Sequence, residues 1–81
     1  MYEVSLKVMG QTYTAKGQEI SDALAALKPG TVAGRLLLTV KHDDQEKTRL
    51  INGLIGKRLF QGTSMTRDVA LKQISSMFNG L

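Results

Sequence analysis

Between Ser64 and Leu81 the apolar residues Ala70, Leu71, Ile74, Met77, Phe78 and Leu81 recur at helical intervals, so they fall on one face of a 3.6-residue period. Ser64 or Thr66 can cap the first turn, Asp68 sits where the helix dipole favours an anion, and Asn79-Gly80 is a stop signal. No other stretch combines this length, stripe and punctuation. The spacing predicts one long amphipathic helix on which the remainder of the chain packs.

The other elements follow from pattern and turn chemistry. Tyr2–Met9 alternates, with Tyr2, Val4, Leu6 and Val8 on one side, which is the period of a half-buried strand. Gly10-Gln11 has glycine first, the signature of a type II′ hairpin turn. That turn sets Val8 opposite Tyr13, Leu6 opposite Ala15 and Lys7 opposite Thr14, with Gly17 ending the second strand. Glu19–Lys28 then carries Ile20, Ala23, Leu24 and Leu27 at helical spacing and is stopped by Pro29-Gly30.

After a connector, Thr31–Gly34, the segment Arg35–His42 alternates again, with Leu36, Leu38 and Val40 inward and Leu37 out of pattern on the outward face. Asp43-Asp44 marks a turn. A two-residue loop would set Val40 against Lys47. A three-residue loop sets Val40 against Thr48 and Leu38 against Leu50, and is preferred because burying a lysine is costly. Residues 50–60 are ambiguous and read as strand to about Ile51 and then a short helix or helical turn to Phe60 capped by Asn52, since Gly53 and Gly56 each cost about 1 kcal/mol within a helix.

The resulting order is ββα-ββ(α)α. It implies an α+β fold, a small antiparallel sheet of two hairpins with two or three helices packed on one face, as a single domain over residues 1–81. The two halves share an order of elements without an evident sequence alignment, a faint sign of duplication. A domain of this size buries only about 60% of its unfolded surface, and self-association is a common remedy.

Composition narrows the function classes. There is no cysteine, which removes disulfides, thiolate metal sites and thiol catalysis, and suits a reducing compartment. Glu3 stands where a signal peptide would be basic, and the longest aliphatic run, Leu36-Leu37-Leu38, is far short of the roughly 20 residues a membrane span needs. A cytoplasmic protein without membrane contact is the expectation. Charge is asymmetric: residues 1–46 hold five bases and six acids, residues 47–81 six bases and one acid, Asp68. Lys47, Arg49, Lys57, Arg58, Arg67 and Lys72 are therefore candidate contacts for phosphate or another anionic partner.

Specific motifs are lacking. Gly53–Arg58 fails as a Walker loop, since Ile51 and Arg58 occupy positions that require glycine and Ser/Thr. It also fails as a KH clamp, since Leu59 stands where that clamp needs its second glycine. The aromatics Tyr2, Tyr13, Phe60 and Phe78 are too few to interleave with the bases as stacking platforms. His42, Asp43, Asp44 and Glu46 cluster at one turn with no second histidine, and read as a solvated hairpin tip. Neither a catalytic constellation, a metal, a cofactor nor a small-molecule substrate is implied.

Met65 and Val69 lie opposite the main stripe of the last helix. With Leu37 they form the candidate partner-binding residues, apolar and without an assigned neighbour. These features favour a non-enzymatic protein-binding module, an accessory, adaptor or inhibitory subunit that binds a protein or itself. A virus- or mobile-element-encoded source fits the size class, though no residue argues for it. The alternative is a nucleic-acid-associated protein using the basic C-terminal half.

Overall fold

The computed structural model describes residues 1–30 and 32–81; Thr31, the first residue of the expected connector, lies outside the described residues. Strands β1 (Tyr2–Val8) and β2 (Gln11–Gly17) lead to helix α1 (Ile20–Ala26). Strands β3 (Leu36–His42) and β4 (Gln45–Ile51) lead to α2 (Gly53–Gln61) and α3 (Ser64–Met77). The strands form one antiparallel sheet in the order β2-β1-β3-β4. The architecture is thus the small α+β fold implied by the pattern of elements.

Alternation decides which face is covered. Val4, Leu6 and Val8 of β1 and Leu36, Leu38 and Val40 of β3 are buried in one cluster with Ala23 and Leu24 of α1, Leu59 of α2, and Ala70 and Ile74 of α3, followed by Phe78. Their strand neighbours Glu3, Ser5, Lys7, Leu37, Thr39 and Lys41 point to the opposite face, which carries no helix among the described residues. The two central strands supply the largest share of this core. The last helix is therefore one of three elements laid on the sheet rather than the slab beneath the whole chain.

Both hairpins differ from the expected register. The first loop is Met9-Gly10, with positive φ at both residues (50° and 79°), the signature of a type I′ turn. Val8 consequently faces Gln11, Leu6 faces Tyr13, Val4 faces Ala15 and Lys7 faces Thr12. The turn places glycine second, where φ is most positive, and its twist matches that of the strands. Because the shift is even, each side chain keeps its face.

The second loop is Asp43-Asp44, two residues rather than three, with Asp43 at φ 56°. Aspartate tolerates this left-handed region better than most residues. Val40 accordingly faces Lys47 and Leu38 faces Arg49. The expected penalty for burying Lys47 does not arise, because β4 is an edge strand: Lys47 is only half-buried and Arg49 is exposed.

Helix ends also move. Leu27 is already extended ahead of Lys28-Pro29, so α1 stops at Ala26; the backbone N–H of Glu19 donates to Asp22 Oδ2 at 3.2 Å. Asn52 caps α2 as expected, its Oδ1 accepting from the Ile55 N–H at 2.9 Å. Thr63, rather than Ser64 or Thr66, caps α3, and that helix ends at Met77 before a turn with Gly80 at φ 93°. The Tyr2 hydroxyl donates to the Leu81 carbonyl at 3.0 Å and ties the chain's end to β1.

The suspected duplication has a structural counterpart. Strands β3 and β4 have the same lengths as β1 and β2 and begin 34 residues after them, joined in each case by a two-residue loop. Lys7 and Lys41, Gln11 and Gln45, and Thr14 and Thr48 are identical at that offset. The central strands β1 and β3 pair antiparallel, so a pseudo-two-fold axis relates the two hairpins, while the helices that follow them pack differently: α1 against β2 and β1, α2 against α3.

Candidate functional site

The uncovered face of the sheet is a platform built from three cross-strand rows. Nearest the Asp43-Asp44 loop, Lys16, Glu3, Lys41 and Glu46 alternate in sign across β2, β1, β3 and β4. Ion pairs join Lys16 to Glu3 at 3.8 Å and Lys41 to Glu46 at 3.9 Å. The middle row is hydroxylic: Thr14, Ser5, Thr39 and Thr48, with the last two Oγ1 atoms 2.8 Å apart. The third row is Thr12, Lys7, Leu37 and Leu50. Here Leu37 and Leu50 stand directly opposite each other, 42% and 53% exposed.

The alternation in Tyr2–Val8 and Leu36–His42 explains this platform, with Leu37 as the residue that breaks the polar pattern on the outward face. Sequence reasoning misses Leu50, because a three-residue loop turns it inward opposite Leu38. The signal that finds it is the two-residue loop, which pairs Leu37 with Leu50.

Met65 and Val69 lie elsewhere. They are 80% and 51% exposed on the outer side of α3, within the helical layer and therefore across the sheet from Leu37. The candidate partner-binding residues Leu37, Met65 and Val69 thus occupy two surfaces.

The basic candidates are distributed as well. Lys47 and Arg49 project from the helix-bearing side of β4, two residues apart and about 7 Å along the strand. The equivalent positions of the first repeat hold Tyr13 and Ala15, over which α1 packs. The Arg49 guanidinium donates through Nη1 to the Thr48 carbonyl at 3.0 Å. Lys57 and Arg58 are exposed on α2, and Arg67 and Lys72 are exposed on α3. Among the described residues the ion pairs are Lys16–Glu3 and Lys41–Glu46, so none of these six cations is neutralised by a carboxylate.

Arg67 reaches a crevice of about 170 Å³ between the helices, lined also by Leu24, Leu27, Lys28, Phe60 and Leu71. This is the rim position expected for an arginine whose stem covers apolar surface. The crevice lining carries two cations and no carboxylate or imidazole that would serve as a general base.

At the second hairpin the Tyr2 and His42 rings stack with centroids 4.0 Å apart and planes 9° from parallel. The imidazole Nε2 lies 3.9 Å from Asp43 Oδ2. The stack closes the covered face at its end and leaves Asp43 and Asp44 exposed. Among the described residues no group of three metal-capable side chains converges, and no helix is long and apolar enough to cross a membrane.

Gly56, the second glycine of the phosphate-loop lookalike, has a packing role. A Cβ there would overlap Leu36 Cδ1 and lie 2.9 Å from Val32 Cγ1, so α2 rests directly on the start of β3. Comparison with protein-family models, with curated protein sequences and with solved structures finds no match.

Proposed function

We propose that this chain is a non-enzymatic protein-binding module, an accessory, adaptor or inhibitory subunit acting in the cytoplasm, whose working surface is the uncovered face of the sheet. The observation that carries this reading is the opposed pair Leu37 and Leu50. Two leucines side by side on a solvated face, flanked by Lys7 and a row of hydroxyls, resemble the apolar centre and polar rim of a protein interface. A partner that covers them removes apolar surface worth about 25 cal/mol per Å² from water. Capture of a partner from the native cells tests the reading. Wild type and Val69→Glu should recover the same partner, and Leu37→Glu should lose it. Undiminished capture by Leu37→Glu contradicts the assignment, and loss only with Val69→Glu moves the interface to α3.

A second reading rests on the six unpaired cations. Phosphate binding needs cations at adaptable spacing rather than a motif, and Lys47, Arg49, Lys57, Arg58, Arg67 and Lys72 meet that need without intramolecular carboxylates. A salt titration against labelled single- and double-stranded nucleic acid separates the two readings. A steep fall of affinity with salt, made shallower by alanine at Lys57 and Arg58, favours nucleic acid. Absence of binding at low salt rejects it.

A further inference from the structure

The two edges of the sheet are complementary to each other. In an antiparallel pair, residues flanking a two-residue loop exchange both backbone hydrogen bonds, and every second residue beyond them does the same. Val8–Gln11, Leu6–Tyr13 and Val4–Ala15 are therefore the bonded pairs of the first hairpin, which leaves the N–H and C=O groups of Thr12, Thr14 and Lys16 directed away from β1. By the same rule His42–Gln45, Val40–Lys47 and Leu38–Arg49 are bonded in the second hairpin, and Glu46, Thr48 and Leu50 direct theirs away from β3. Both sets belong to residues on the uncovered face, and no further strand pairs with β2 or β4 among the described residues.

We propose that copies of this chain join head to tail, the β2 edge of one pairing antiparallel with the β4 edge of the next. Lys16 then meets Glu46 of the next copy, Thr14 meets its Thr48, and Thr12 meets its Leu50. Three properties coincide in this one register. Each of the three pairs exchanges both of its outward backbone hydrogen bonds, the Arg49 guanidinium releasing the Thr48 carbonyl that it holds within one copy, the covered and uncovered faces stay continuous, and the charges match. Within one copy Lys16, Glu3, Lys41 and Glu46 alternate in sign, and the seam places the lysine of one copy beside the glutamate of the next, so the alternation continues without a break.

The seam also pairs Thr14 with Thr48, as Thr39 is already paired with Thr48 inside the chain. On the helix-bearing side it sets Tyr13 against Arg49 of the next copy, a cation facing an aromatic ring. Pairing β2 with β2 would oppose Lys16 to Thr12, and pairing β4 with β4 would oppose Glu46 to Leu50, so neither symmetric seam uses the charges. The contact is heterologous and produces a ring or an open filament. The seam uses the backbone of Leu50, while the Leu37 and Leu50 side chains lie on the broad face beside it.

Sedimentation velocity over a concentration series tests the seam, with circular dichroism confirming that each variant folds. Wild type should assemble as concentration rises. Lys16→Glu and Glu46→Lys should each raise the half-assembly concentration on the order of tenfold. An equimolar mixture of the two should assemble like wild type. When the two variants alternate along the assembly, native and sign-reversed seams alternate too, and opposite charges meet at each one. Thr14→Pro, which removes an outward N–H and leaves the bonds to β1 intact, should stay monomeric. Wild type that remains monomeric throughout, assembly insensitive to Thr14→Pro, or failure of the mixture to restore it overturns the proposal.

Discussion

A Cβ at position 56 would overlap the Leu36 side chain, so the glycine that weakens α2 as an isolated helix is also what lets the helix rest on β3. Gly56→Ala gains up to about 1 kcal/mol of helix propensity and incurs about 1–3 kcal/mol of overpacking against Leu36 and Val32. The expected outcome is a net loss of stability, read as a lower urea midpoint. A raised midpoint would mean that α2 does not contact the start of β3 at this point. Met9 illustrates the opposite case. It is a non-glycine residue at φ 50° in the first position of a type I′ turn, a conformation that asparagine adopts more readily. Met9→Asn creates the preferred Asn-Gly turn and should stabilise the chain by about 0.5–1 kcal/mol in denaturant unfolding.

At the scale of elements, the strands and helices are legible from the sequence because period and punctuation agree. Tyr2–Val8 and Leu36–His42 alternate, Asn52 announces α2, and the stripe Ala70, Ile74, Phe78 defines the buried side of the last helix. Registers are not legible. In the first hairpin Gly10 suits either the first position of a II′ turn or the second of a I′ turn, and both keep the same residues inward. In the second, an inward Lys47 is costly only on a covered strand, whereas β4 is an edge strand on which only Ile51 is buried. The candidate partner residues are recognisable one by one as apolar outliers. Their division between two surfaces depends on the layering, and the Leu37–Leu50 pair depends on the loop length. Substituting Lys47 tests that register: Lys47→Val places a β-branched side chain beside Val40 on the half-buried side and should stabilise by up to about 1 kcal/mol in denaturant unfolding. In the three-residue register Lys47 would face Lys41 on the uncovered side, and the same substitution would gain no burial.

For the molecule as a whole, the repeat of ββα units accounts for both the surfaces it presents and the asymmetry between them. Equal strand lengths and equal loop lengths set two hairpins back to back through β1 and β3, leaving one broad face open and two edges unpaired among the described residues. The units then diverge where their functions are proposed to differ: α1 packs over β2, while the same side of β4 exposes Arg49 and half-exposes Lys47. Every surface reading depends on the registers, since a different loop exchanges which residues carry the free backbone groups and which leucines meet. Residue-resolved amide hydrogen exchange in dilute solution tests them directly. Slow exchange is expected at Tyr13, Ala15, Lys47 and Arg49 and fast exchange at Thr12, Thr14, Lys16, Thr48 and Leu50. Protection at Thr12 and Thr14, or at Thr48 and Leu50, in the monomer would contradict it, because those amides would then be bonded inside the hairpins.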